Sequence, residues 1–139
     1  MSHSLTKPSV LIVDDDPVML EVIHEILKRS LADVLVDVTD SPNTALHRAA
    51  SHHYSAVVTD VIMPGMNGLE LAERIHALRP DTHIVFISGT AHALENCRTR
   101  AFACLRKPFD IETFTETVRS AVASSPPSSA RMSDAPIES

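Results

Sequence analysis

Polar and charged residues directly follow several apolar runs that lie far apart in the chain. Asp14 and Asp15 follow the first run, Asp60 ends the run AVVT, Ser88 follows a later run and Lys107 follows the last. An isolated carboxylate is costly to bury, so a charge in such a position rarely serves packing. The carboxyl ends of parallel strands meet at one edge of a sheet, where open α/β sheets bind their ligands. We therefore expect these residues to converge on one crevice.

The residue types that would meet there suit phosphoryl transfer. Carboxylates from Asp14, Asp15 and Asp60 would repel one another by roughly 4 kcal/mol per pair at ~4 Å, so the site must raise a pKa or bind a cation. Mg²⁺ is the natural cation, because it takes hard oxygen ligands and leaves places for water and a phosphate oxygen. Lys107 would pair with a phosphoryl group, and Ser88 would offer it a hydroxyl. Such catalysis rests on positioning and charge neutralisation, so we predict that Asp60 becomes an aspartyl phosphate.

Apolar runs of strand type alternate along the chain with segments of helical periodicity. The patterns predict strands at residues 9–13, 34–38, 56–59, 82–87 and 101–105. They predict helices at about 17–30, 42–50, 67–78, 91–100 and 111–122. This alternation indicates an α/β fold, with a parallel sheet covered by helices on both faces. Asp37 interrupts the second strand and favours an edge position for it.

Smaller features of the chain carry their own predictions. Asp16, before Pro17, and Asp110 are typical helix N-caps. Gly65 and Gly68 are predicted to serve turn geometry. Cys104 is predicted to be a small, buried apolar side chain.

Composition narrows the possible partners and location. The chain has 139 residues, 44% of them hydrophobic, and a formal net charge of −6. This balance disfavours nucleic acid and anionic membranes, which attract basic surfaces. The sequence shows no secretory signal and no apolar run long enough to span a membrane.

Cys97 and Cys104 stand too far apart for a usual zinc pair. We expect a cytoplasmic protein with a flexible segment 1–8, one domain at 9–123 and a disordered Ser/Pro-rich tail at 124–139.

Four segments of the chain, in this order, resemble the response-regulator receiver family of two-component signalling: VDDDP, DVIMPGMNG, FISGT and RKPF. The resemblance covers residues from about 9 to 123. It implies a flavodoxin-like, doubly wound sheet of five strands in the order 2-1-3-4-5, with five helices on its two faces. It implies a phosphorylated bacterial signalling protein, a phospho-acceptor that assists its own phosphorylation and dephosphorylation, rather than an enzyme.

The same resemblance implies a role for each site residue. Asp60 is the phospho-acceptor, Lys107 and Ser88 contact the phosphoryl oxygens, and the Lys107–Pro108 bond is cis. Mg²⁺ is bound by Asp15 directly, by Asp14 largely through water, and by Asp60 and the backbone carbonyl of Ile62; no other cofactor is implied.

The resemblance also implies partners. The phosphoryl donor is a sensor histidine kinase or a histidine phosphotransfer protein, and a downstream protein is the target. A homodimer through the fourth helix, fifth strand and fifth helix is possible, whereas no direct contact with nucleic acid or membrane is expected. Relatives usually carry Tyr or Phe three residues before the lysine, and this chain has Cys104 there. In relatives, the hydroxyl at the position of Ser88 is coupled to the movement of this aromatic ring. Because Cys104 has no ring, that coupling is not expected here.

Two other functions fit parts of the pattern. Asp14-x-Asp16 after an apolar strand also resembles the nucleophile motif of haloacid-dehalogenase-type phosphatases, with Asp14 as nucleophile. That hypothesis leaves DVIMPGMNG unexplained and lacks a clear downstream acidic pair. A receiver-shaped interaction module that is never phosphorylated is the other alternative, and the complete acidic set argues against it.

Overall fold

Five strands alternate with five helices in the computed structural model, which describes residues 7–95, 97 and 101–124. The strands are β1 (Ser9–Val13), β2 (Leu35–Thr39), β3 (Ala56–Asp60), β4 (His83–Ser88) and β5 (Ala103–Arg106). The helices are α1 (Pro17–Ser30), α2 (Pro42–Ser51), α3 (Gly68–Leu78), α4 (Ala91–Glu95) and α5 (Ile111–Ser124). None of the described helices has the length and apolar character that crossing a membrane requires.

The strands form one parallel sheet in the order β2-β1-β3-β4-β5. This confirms the predicted fold and strand order, and the edge position of β2. A helix connects each strand to the next strand along the chain, because parallel strands cannot be linked by a tight hairpin. All the strands consequently end at the same edge of the sheet.

Helices cover both faces of this sheet, so the inner strands are buried on both sides. Every residue of β1 and β3 is buried, as continuous apolar runs predict. One face packs against α2, α3 and α4, through Ala45, Ala49, Leu71, Ala72, Ile75 and Leu94. The other face packs against α1 and α5, through Leu20, Ile23, Leu27, Phe114, Val118 and Ala121. Each large aliphatic or aromatic side chain buried here contributes about 1.5–3 kcal/mol.

The helix starts follow the capping chemistry read from the sequence. Asp16 accepts the N–H groups of Val18 and Met19 at the start of α1, and Pro17 occupies the first turn, where its missing N–H costs nothing. Ser41 caps α2, and Asn67 caps α3. At α5, the Thr113 N–H donates to Asp110 Oδ1 at 2.8 Å. These caps fix the residues at which α1, α2, α3 and α5 begin after their loops.

Several predicted boundaries and one predicted burial were wrong. β2 begins one residue later than predicted, and β5 begins at Ala103 because the pairing with β4 starts there, at Val85. The preceding Phe102 is 37% exposed and packs on the ring of His83 instead. Cys104 is half-buried rather than buried, since β5 is an edge strand.

Other predictions fall partly outside the described residues. The predicted helix 91–100 is described at Ala91–Glu95 and includes residues 96 and 98–100, which lie outside the described part. Most of the predicted flexible segment 1–8 and of the tail 124–139 lies outside it as well.

Candidate functional site

Four strand ends place polar side chains at one edge of the sheet. Asp14 directly follows β1 and is fully buried, and Asp60 is the last residue of β3, 7% exposed. Ser88 ends β4 and is 1% exposed, and Lys107 directly follows β5. The register pairs Asp60 with Ile87, and Ser88 with Arg106, so these strand ends stand side by side. These residues thus lie at one edge of the sheet, while the predicted crevice stays a prediction.

Lys107 joins the two buried aspartates. Its Nζ lies 3.0 Å from Asp14 Oδ2 and 3.1 Å from Asp60 Oδ2, and its side chain is 21% exposed. These are charge-assisted hydrogen bonds, which are stronger than neutral ones. One ammonium group therefore serves two carboxylates that come from different strands.

Burial and neighbouring charges set the protonation of the site. Burial raises the pKa of the Asp60 carboxyl, and the charge of Asp14 adds to this, while Lys107 and the Ile62 N–H counteract part of it. Burial by itself would lower the pKa of Lys107, but its hydrogen bonds to Asp14 and Asp60, and their charges, raise it overall. Lys107 is therefore held in its charged form between the carboxylates.

The other acidic residues of the first loop divide into two roles. Asp15 is exposed, but its carboxylate joins those of Asp14 and Asp60 in a group whose oxygens lie within 4.8 Å of one another. Asp16 caps α1, with Val18 N–H 3.0 Å from its Oδ1. The geometry therefore gives no support to Asp14 and Asp16 acting together as a phosphatase pair.

The three grouped carboxylates fit a magnesium ion. Mg²⁺ prefers hard oxygen donors, and Asp14, Asp15 and Asp60 present one carboxylate oxygen each within a small space. Among the described residues this is the one group of three or more His, Cys, Asp or Glu side chains close enough to share an ion. The Ile62 N–H lowers the pKa of the Asp60 carboxyl, so the Ile62 backbone lies near the site. The predicted role of its carbonyl as a metal ligand stays a prediction.

Ser88 lies on the strand next to Asp60 and is held by its own loop. Its Oγ accepts the N–H of Thr90 at 3.2 Å, and its carbonyl accepts the N–H of Lys107 at 2.8 Å. The same backbone bond links the end of β4 to the lysine of the site. The Lys107–Pro108 peptide is cis, as the resemblance implied.

Sequence reasoning missed the part that two residues play in building the site. Gly65 has a φ of +83°, in line with the predicted turn role. Gly68 serves close approach instead, because a Cβ there would lie 2.1 Å from the Asp60 carbonyl oxygen. The sequence motifs assign no role to Thr90, although it contacts Ser88 twice. Two sequence features could have indicated these roles. Gly68 is a glycine at the first position of a helix, and Thr90 is a hydroxyl residue two positions after Ser88.

Comparison with known proteins agrees with this geometry. A family model described as the response regulator receiver domain matches residues 10–119. The DNA-binding transcriptional regulator NtrC of Azospirillum brasilense is 31% identical over 134 residues, covering 94% of this chain and 27% of that protein. The transcriptional regulatory protein MalR of Bacillus subtilis is 34% identical over 113 residues, covering 76% of this chain and 46% of that protein. The chain thus spans less than half the length of these two relatives.

Solved structures share the fold. The response regulator protein TrrA from Thermotoga maritima, in complex with Mg²⁺ and BeF, matches with a TM-score of 0.75 and 27% identity, over 82% of this chain and 98% of that one. The signal receiver domain of an HD domain-containing protein from Pseudomonas fluorescens matches in fold with a TM-score of 0.82 and 23% identity, over 95% of this chain and 97% of that one. With the family model covering most of the sequence, the chain belongs to the response-regulator receiver domain family of two-component signalling.

Proposed function

We propose that this chain is a phosphorylatable receiver in which Asp60 accepts a phosphoryl group from a phosphohistidine. The donor would be a sensor histidine kinase or a histidine phosphotransfer protein, and the product would switch a surface that binds a downstream protein. The observation that carries the proposal is the Asp60 carboxylate, 7% exposed at a strand end and hydrogen-bonded to Lys107 at 3.1 Å. A buried carboxylate that keeps a cation beside it is suited to meet a phosphoryl group.

The chemical step is a transfer between two nucleophiles. A carboxylate oxygen of Asp60 forms a bond to phosphorus while the bond from phosphorus to the imidazole nitrogen of the donor breaks. The electron pair of the broken bond stays on that nitrogen, and the product is an acyl phosphate. Lys107 already stands beside Asp60 and would pair with a phosphoryl oxygen, and Ser88 would donate its hydroxyl proton to another.

Magnesium would be held by Asp14, Asp15, Asp60 and the Ile62 carbonyl. When bound, it would neutralise negative charge on the carboxylates and on the incoming phosphoryl oxygens. The chain's own contribution is to keep Asp14 and Asp60 fixed. Lys107 does this from its bonds to both, at 3.0 Å and 3.1 Å.

The nature of the partners follows from the charge and the family. The net charge of −6 supports a protein target rather than direct contact with nucleic acid. A receiver exchanges phosphate with the catalytic part of a kinase, so we propose a cytoplasmic location. A homodimer through α4, β5 and α5 stays a prediction.

Phos-tag gels of the purified chain with acetyl phosphate test the proposal. We expect wild type to be retarded in the presence of Mg²⁺, and neither Asp60→Asn nor EDTA-treated wild type to be retarded. Asp16→Asn is the matched control, because Asn also caps helices and Asp16 lies outside the carboxylate group; it should behave as wild type. If wild type is not phosphorylated, the proposal is wrong and the unphosphorylated interaction module is favoured. If Asp60→Asn is still phosphorylated, another residue is the acceptor, and phosphorylation of Asp14 would favour the phosphatase.

A further inference from the structure

Thr90 lies two residues beyond Ser88 and contacts its hydroxyl twice. The Thr90 N–H donates to Ser88 Oγ at 3.2 Å, and the hydroxyl oxygens of the two residues are 3.5 Å apart. Ser88 is only 1% exposed, so bulk water has little access to its hydroxyl. The orientation of the Ser88 O–H is therefore set by protein groups, and Thr90 supplies two of them.

The hydrogen-bonding capacity of the two hydroxyls allows Thr90 to donate to Ser88. A hydroxyl has one proton and two lone pairs. Thr90 Oγ1 accepts the N–H of Ala93, in the first turn of α4, at 3.4 Å. It can then give its own proton to Ser88 Oγ. When the N–H and the O–H of Thr90 both donate to Ser88 Oγ, both of its lone pairs are occupied and its own proton is left to donate elsewhere.

The position of Ser88 places that proton at the phosphorylation site. The residue before it, Ile87, is the register partner of Asp60, and the Ile87 carbonyl accepts the Val61 N–H at 3.0 Å. A Cβ added at Gly89 would meet no atom within 4 Å, so packing at Gly89 does not hold this loop. The loop is instead linked by the hydrogen bonds of Thr90 to Ser88 Oγ and of the Lys107 N–H to the Ser88 carbonyl.

We propose that Thr90 is a positioning residue for phosphoryl transfer, which directs the Ser88 hydroxyl so that it donates to a phosphoryl oxygen on Asp60. This inference rests on the proposed function and adds a residue to it. It predicts that Thr90 acts only through Ser88. Without the Thr90 hydroxyl, a lone pair of Ser88 Oγ is left open, and the Ser88 proton is no longer reserved for the phosphoryl group.

The test measures the phosphorylation rate with phosphoramidate and Mg²⁺ for Thr90 variants in two backgrounds. In the wild-type background, Thr90→Val should slow phosphorylation roughly fivefold, the size of one hydrogen bond, and Thr90→Ser should restore the rate to within about twofold. In a Ser88→Ala background, Thr90→Val should cause no further loss. Thr117→Val is the matched control, since the Thr117 hydroxyl bonds the Thr113 carbonyl within α5.

The outcomes separate this inference from the function on which it rests. An equal loss from Thr90→Val in both backgrounds would mean that Thr90 only supports the structure of α4, and an unchanged rate in the wild-type background would also overturn the inference. Either result leaves phosphorylation of Asp60 standing. A wild-type chain that phosphoramidate does not modify would overturn both. Urea unfolding checks that each variant is folded, and Thr90→Ala replaces Thr90→Val if the larger apolar side chain prevents folding.

Discussion

Asp60 is a charged group kept where water has little access. Removing a carboxylate from water costs several kcal/mol unless partners compensate. Lys107 compensates two such groups at once, with Nζ at 3.0 Å from Asp14 and 3.1 Å from Asp60. Two carboxylates share this one ammonium, and burial, with a smaller contribution from the charge of Asp14, raises the pKa of Asp60. Under the proposed function, a bound cation and a phosphoryl group would compensate this charge, and their absence would cost stability.

This imbalance predicts the effect of removing the charge of Asp60. The pKa of Asp60 is higher in the folded state than in the unfolded state. Its carboxyl therefore stabilises the fold at pH values below its ordinary pKa, and this stabilisation is lost as the pH rises through the folded-state pKa. Asp60→Asn cannot ionise. In Mg²⁺-free buffer at pH 7 it should increase the free energy of unfolding by on the order of 1 kcal/mol, and the gain should shrink as the pH falls towards the ordinary pKa of an aspartate. Urea unfolding from acid to neutral pH measures this.

Asp16→Asn is the control for that experiment, because it removes one negative charge from the same loop and keeps a capping side chain. Its stability should match wild type at pH 7. An Asp60→Asn variant that is less stable than wild type at pH 7 without Mg²⁺ would show that the Asp60 charge stabilises the fold and would refute the electrostatic account.

The end of β3 and the start of α3 approach each other closely at the site. The Gly68 N–H, at the start of α3, donates to the Val61 carbonyl at 2.7 Å. A Cβ at Gly68 would lie 2.1 Å from the Asp60 carbonyl oxygen and 2.9 Å from Val61 Cα. Both are backbone atoms and cannot rotate away. The helix therefore holds the loop after Asp60 by direct backbone contact.

Gly68→Ala should consequently push α3 away from the end of β3. We expect a loss of about 1–3 kcal/mol in the free energy of unfolding, the range for overpacking, and slower phosphorylation of Asp60 in the same variant. Gly89→Ala is the matched control, since a Cβ there meets nothing within 4 Å; it should change stability by less than about 1 kcal/mol. Equal stabilities of the two variants in urea would contradict the proposed contact.

Over the chain as a whole, the features that sequence could predict are those with a local physical cause. Continuous apolar runs predict buried parallel strands, and a parallel sheet brings the carboxylates of Asp14 and Asp60 to one edge. The strand order came from the resemblance to receivers, since periodicity says nothing about which strands are neighbours. The predicted start of β5 is wrong because Phe102 is as apolar as a strand residue, yet its ring packs on His83.

Tertiary contacts account for what sequence could not predict. Nothing local to Lys107 indicates that it binds both Asp14 and Asp60, because those partners lie 93 and 47 residues away. The need for glycine at position 68 comes from a close backbone approach that appears only in three dimensions. Cys104 is half-buried because its strand is at the edge of the sheet.

The most direct test of the account is to identify the phosphorylated residue itself. The chain would be phosphorylated with acetyl phosphate and Mg²⁺ and reduced with borohydride, which converts an aspartyl phosphate to homoserine, and its peptides would then be sequenced by mass spectrometry. We predict homoserine in place of Asp60 and at no other position. After the same treatment with EDTA in place of Mg²⁺, we predict no homoserine. Homoserine in place of Asp14, or a chain with no homoserine after treatment with Mg²⁺, would contradict Asp60 as the phospho-acceptor.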